Sequence, residues 1–171
     1  LPGLTRLAGR IAGGGAMGIV QIFHGGVRAP REVSGTQPWS ASTWHEDSPG
    51  FEDPRAATEA DIEGVIASFA AAAARCARAG FAGVELHGAH GYLLGQFLSR
   101  TMNTRTDGWG GDLAGRARLV RAATRAVRAA VPAGFVVGVR LSPEDFGQAR
   151  GLDLDESVEV ARGLCDDGAD F

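Results

Sequence analysis

The chain has 171 residues, 44% of them hydrophobic, and a formal net charge of −3. That length supports one hydrophobic core, and that charge argues against nucleic acid or an acidic membrane surface as the main partner. No run of 18 apolar residues occurs, so no segment reads as a membrane-spanning helix.

Residues 3–15 read as a helix ending in Gly13-Gly14-Gly15. Residues 18–23 (GIVQIF) form a β-type apolar run, followed by a long connection over 24–57 that carries His24, Trp39, Trp44 and His45. Residues 58–79 are Ala-rich and helical, and Thr58-x-x-Asp61 at their start is close to a capping box. A second β-type run spans 83–87, and a second long connection spans 99–114 with Trp109 and Gly110-Gly111. Connections of this length, beyond about 12–15 residues, tend to carry function. Residues 115–130 place Leu119, Val120, Ala123, Val127 and Ala130 at helical spacing. The third β-type run is 135–141 (FVVGVRL), and a helix over 154–167 follows Asp153, with Glu156 three residues on. Residues 169–171 look like the start of a further strand. Strands alternating with helices mean parallel βαβ units, hence an α/β fold. Opening at Leu1 and ending where a strand begins, the chain reads as an internal piece of a larger protein.

Cys76 and Cys165 lie far apart in helical patterns, so neither a redox CxxC nor a zinc spacing is present. All 17 basic residues are Arg, which together with the many Ala and Gly reflects base composition more than function.

Period-two alternation sorts the strand residues into faces. Ile19, Gln21 and Phe23 share one face; so do Gly83, Glu85 and His87, and Val136, Gly138 and Arg140. The opposite faces are wholly aliphatic (Val20/Ile22, Val84/Leu86, Val137/Val139/Leu141) and suit packing under helices. The first set carries Gln21, Glu85, His87 and Arg140, and buried polar groups need partners. A bound polar cofactor is one such partner; water or mutual hydrogen bonds, including an Arg140–Glu85 ion pair, are the others.

The stretch GVELHGAHGYLLGQFLS at 83–99 is the most informative. His87 and His90 stand three apart where a strand stops, and Tyr92 follows. Such groups can hydrogen-bond a substrate oxygen and donate a proton, at the strand end where α/β folds bind ligands. Metal ligation is the competing reading. It lacks the helical HExxH spacing and a third ligand. His24 reads as a turn-shaping residue and His45 as a solvated one.

This stretch resembles the Old Yellow Enzyme family of NAD(P)H:flavin oxidoreductases, in the branch with a His-x-x-His-x-Tyr motif. IVQIFHGG at 19–26, FLSRTMNTRTDGWGGDLAGRARL at 97–119 and VVGVRLSPEDF at 136–146 are similar to the family in order and spacing. The resemblance implies a TIM (β/α)8 barrel, of which residues 1–171 would be the central part of a single FMN-binding domain, about strands three to six, truncated at both ends. It implies FMN as cofactor, NAD(P)H as reductant and an enone-type small molecule as substrate, in a cytoplasmic enzyme that can form a homo-oligomer. It assigns Gln21 and Arg140 to the flavin, His87 and His90 to the substrate oxygen, and Tyr92 to proton donation. Alternatives within the superfamily are enzymes acting on amines or dienoyl thioesters; a non-catalytic partial barrel is the alternative for this segment alone. Departures from the family pattern are Arg100 where a proline is usual, Val27 where an arginine often stands, and Ala114-Gly115 in the GGDLAGR stretch. Val27 and Arg100 are expected near the rim, where they would bear on substrate preference. Neither a glycine-rich phosphate loop nor an iron–sulfur cysteine cluster lies within these residues.

Overall fold

The computed structural model describes residues 1–47, 49–143 and 151–171. In chain order its elements are α1 (Pro2–Gly13), β1 (Ile19–Ile22), a 3-10 turn (Gly26–Arg28), α2 (Arg31–Ser34), β2 (Trp39–Ser40), β3 (Arg55–Ala56), α3 (Glu59–Ala79), β4 (Gly83–Gly88), α4 (Leu93–Leu98), α5 (Leu113–Ala130), β5 (Val136–Leu141) and α6 (Leu154–Asp166). Strands β1, β4 and β5 form a parallel sheet with β4 in the middle. Residues 169–171 are not a regular strand, yet they continue the ladder. Asp170 N–H donates to the Val137 carbonyl at 2.7 Å, and Val139 N–H donates to the Phe171 carbonyl at 2.9 Å.

The helices form where the sequence supplies both ends. At the start of α3, Thr58 Oγ1 accepts from Asp61 N–H at 3.2 Å, and the Asp61 carboxylate accepts from Thr58 N–H at 2.8 Å. Gly80, at φ 92°, ends the helix in the left-handed conformation that glycine adopts without cost. Between these ends Ile62, Val65, Phe69, Ala73 and Cys76 fall on one face and are buried. Asp112 caps α5 by accepting from Gly115 N–H, and Asp153 caps α6 by accepting from Glu156 N–H, both at 2.9 Å.

The aliphatic sheet face lies under α3 and α5, and Val84, Leu86 and Val137 on it are completely buried. Each such side chain contributes about 1.5–3 kcal/mol through burial. The opposite face, bearing Ile19, Gln21, Phe23 and Arg140, is open in this chain. Val84, Leu86 and Val137 are buried and Gln21 and Arg140 exposed, as the alternation predicts, whereas His87 and Gly138 on the other face are buried as well.

The long connection over 24–57 is not structureless. Beyond the 3-10 turn and α2, it contains a small parallel sheet in which Trp39 pairs with Arg55 and Ser40 with Ala56. The second long connection clamps it. Arg105 Nη1 donates to the Ala41 carbonyl at 2.9 Å and the Ala57 carbonyl at 2.7 Å. Asn103 Nδ2 donates to the Phe97 and Trp109 carbonyls at 2.7 and 2.8 Å. Helix α4 is short and buried nearly all round, so no amphipathic period marks it in the sequence.

Candidate active site

The open sheet face is a grid fixed by register. Gln21 pairs with Glu85, and Glu85 with Gly138; one row further on, His87 pairs with Arg140. The row explains a partner exchange. Gln21 Nε2 donates to Glu85 Oε1 at 2.5 Å, so Glu85 is held by the residue directly beside it. Among the described residues no carboxylate lies within 4.0 Å of the Arg140 guanidinium, and the Arg140–Glu85 ion pair does not form. Arg140 is exposed at the end of the sheet and has no ion-pair partner among the described residues.

Four rings gather above that row. His87 lies 4.9 Å from both His90 and Tyr92, ring centroid to centroid, and meets each edge-on. Phe23, which follows β1, lies 5.0 Å from Tyr92 and 6.5 Å from His87. The three motif residues are thus brought together, and Phe23 joins them as an exposed apolar wall. Its place on the Gln21 face was legible in the sequence; its contact with the motif was not.

His87 is buried, and Ala89 N–H donates to its Nδ1 at 3.3 Å. An acceptor Nδ1 leaves the proton of the neutral ring on Nε2. Burial pushes the His87 pKa down, and the nearby His90 and Arg140 charges push it the same way, against Glu85. His87 is therefore a neutral donor near pH 7. His90 sits on left-handed backbone at φ 57°, and its N–H donates to Ser142 Oγ, just past β5, at 3.2 Å. Ser142 belongs to the VRLS motif, but a lone serine gives no sequence signal of such a contact. The end of the VVGVRLSPEDF motif, residues 144–146, lies outside the described residues.

The other titratable groups take structural roles. His24 Nδ1 accepts from Gly26 N–H at 3.1 Å, its ring lies 4.7 Å from Trp39, and burial lowers its pKa. It shapes the turn. His45 is exposed beside Asp47 and Asp53. The two departures expected at the rim do not face the rings. Val27 is completely buried, because the 3-10 turn folds it inward. Arg100 turns to the start of α6, pairing with Asp153 at 2.9 Å and Glu156 at 2.5 Å.

The donor set fits a flavin's polar edge. Gln21 retains its amide oxygen for an N–H, and Arg140 offers a rigid cationic fork to an anionic edge. Both point to the same open face, one row apart.

Known proteins resemble this chain in sequence and in fold. The profile of the NADH:flavin oxidoreductase / NADH oxidase family matches residues 1–167. An NADH-dependent flavin oxidoreductase of Aspergillus parasiticus is 41% identical over 98% of the chain and 38% of its own length. The structure of 2-naphthoyl-CoA reductase in complex with 2-naphthoyl-CoA superposes with a TM-score of 0.92 at 30% identity, over 99% of this chain and 27% of that one. An old yellow enzyme homologue from Zymomonas mobilis superposes with a TM-score of 0.86 at 28% identity, over 97% of this chain and 49% of that one. The chain spans less than half the length of each of these proteins. A matching profile over nearly all residues, a parallel α/β sheet and a flavin-compatible donor face have one conclusion: the chain belongs to the NADH:flavin oxidoreductase / NADH oxidase family, whose members use FMN with a nicotinamide reductant.

Proposed function

We propose that this chain is the central part of an FMN-binding TIM-barrel domain, about strands three to six, in an enzyme that reduces the C=C bond of α,β-unsaturated carbonyl compounds. The observation that carries the reading is the convergence of His87, His90, Tyr92 and Phe23 above the row that holds Arg140.

When bound, FMN supplies the hydride, which it takes from NAD(P)H. Gln21 and Arg140 would hold its polar edge. A fixed positive charge there stabilises the reduced anionic form. His87, through Nε2–H, and His90 hold the substrate carbonyl oxygen. Their hydrogen bonds strengthen as negative charge gathers on that oxygen, which is the condition for accelerating the reaction rather than merely binding substrate. The Tyr92 hydroxyl supplies the proton to the α-carbon. Phe23 is the apolar wall against which the alkene lies.

A CoA thioester is a second reading, favoured by the close superposition on 2-naphthoyl-CoA reductase. A thioester carbonyl accepts the same two histidine hydrogen bonds. A Cys cluster and a second nucleotide-binding domain beyond residue 171 would favour it.

Stopped-flow measurement of the two half-reactions in the intact parent protein tests the roles. Tyr92→Phe is expected to slow alkene reduction and leave flavin reduction by NAD(P)H nearly unchanged. His87→Ala is expected to cost about 10²–10³-fold in the alkene step. If Tyr92→Phe slows only the NAD(P)H step, the assignment is wrong.

A further inference from the structure

We propose that Gln96 is a positioning residue that bolts the loop carrying His90 and Tyr92 to the turn after β1. The proposal rests on the reading of these rings as the substrate-binding groups.

Gln96 lies on α4 with its side chain completely buried, among Leu93, Leu94, Phe97 and Leu98. A polar residue in that setting needs partners, and Gln96 finds three on the main chain. Its Nε2 donates to the Gly91 carbonyl at 2.7 Å and to the Gly25 carbonyl at 3.3 Å. Its Oε1 accepts from Val27 N–H at 3.4 Å. Both amide hydrogens and the oxygen are thus used, and the partners belong to two different strand-to-helix loops. Leu93 N–H, donating to the His24 carbonyl at 3.1 Å, joins the same two loops.

The turn after β1 is shaped around this amide. Gly26 has φ +60°, and a Cβ there would collide with the Gln96 carboxamide. Glycine is therefore required at this close approach. On the other side, Gly91 has φ 70° and His90 has φ 57°. His90 is the single non-glycine with positive φ among the described residues. Such backbone persists only where its surroundings hold it. Two bonds do so: Ser142 Oγ takes the His90 N–H, and Gln96 takes the Gly91 carbonyl. Gly91 stands directly between His90 and Tyr92, so Gln96, by holding the Gly91–Tyr92 peptide, fixes the backbone that leads from one ring to the other. The same bolt sets their distance from Phe23, two residues before Gly25.

The test uses the intact, flavin-loaded parent protein. Gln96→Met keeps length and approximate shape but removes all three bonds. Gln96→Glu keeps the shape and can regain one donor. The readouts are hydrogen–deuterium exchange of residues 24–28 and 88–92 against α3, FMN content, and affinity for p-hydroxybenzaldehyde followed by flavin absorption. For Gln96→Met, exchange should quicken in the two loops while α3 and FMN content stay as in wild type. Phenol affinity should fall about tenfold to a hundredfold, the scale on which small misplacements act. For Gln96→Glu, burial raises the carboxyl pKa. Its phenol affinity, relative to wild type at the same pH, should recover as pH falls and the protonated acid donates to the Gly91 carbonyl. A residue that only fills the core would not give that recovery. The bolt is overturned if Gln96→Met leaves loop exchange and phenol affinity unchanged. It is also overturned if exchange rises equally in α3 with FMN lost, or if Gln96→Glu shows no pH-dependent recovery. If wild type binds no phenol, the assignment of the rings fails instead, and loop exchange alone decides the role of Gln96.

Discussion

Arg140 and Glu85 lie on one face, and alternation alone allows them to pair. Register decides otherwise. Gln21 stands directly beside Glu85, whereas Arg140 stands one row further, beside His87. Pairing rows cannot be read from a single strand, so the sequence left both outcomes open. Among the described residues no carboxylate pairs with Arg140, and in the proposed function it faces the flavin. Arg140→Ala in the parent protein is expected to lower the flavin's reduction potential and weaken flavin retention, as followed by potentiometric titration. His87 carries a pH consequence. Its folded pKa lies below the ordinary 6.5, first through burial. The fold therefore favours the neutral ring. That contribution to stability is present above about pH 6.5 and is lost as pH falls through the folded pKa. Thermal unfolding of wild type and His87→Asn between pH 5 and 7.5 checks it: the variant should lose less Tm on acidification. The shared sheet face of Gln21, His87 and Arg140 was legible from the strand period, and the closeness of His87, His90 and Tyr92 from their compact spacing; their roles come from the family resemblance. Gln96 and Ser142 were not, because each is a single polar residue whose partners are main-chain groups distant in sequence.

At the scale of elements, capping residues made α3 and α6 legible to within a residue or two, since Thr58/Asp61 and Asp153/Glu156 satisfy the first free N–H groups. The small sheet of β2 and β3 and the helix α4 were not legible; both are too short for a period and are defined by what packs on them. Two arginines around α6 show how burial ranks similar contacts. Arg116 is buried, donating to the Leu98 carbonyl at 2.9 Å, the Gly111 carbonyl at 2.8 Å and Glu156 at 2.6 Å. Arg100 meets Glu156 and Asp153 but is partly exposed. Removing Arg116 takes their donor from the Leu98 and Gly111 carbonyls and leaves Glu156 with Arg100 alone, so Arg116→Met should cost about 3–5 kcal/mol. Arg100→Ala should cost at most about 1 kcal/mol. Urea unfolding of both variants measures the contrast. An Arg100 effect as large as that of Arg116 would mean the departure from proline there is an essential brace.

At the scale of the whole molecule, the helices over β1, β4 and β5 lie on one side, and the face carrying the site is left open, with Ile19 42% and Phe23 59% exposed. The α/β class and the parallel sheet were legible because strands and helices alternate with signals at both ends. What closes over the open face was not, since the chain spans under half of the proteins it matches. In the proposed account the rest of a barrel covers this face and completes the cofactor site, so the intact protein is the object to measure. The most direct measurement is its visible spectrum under anaerobic conditions, taken first as purified, then after NADH, then after an α,β-unsaturated carbonyl compound. The expected result is a bound flavin that NADH bleaches and the unsaturated compound restores, with restoration slowed by Tyr92→Phe. A colourless protein, or a bleached flavin that no activated alkene reoxidises, would contradict it.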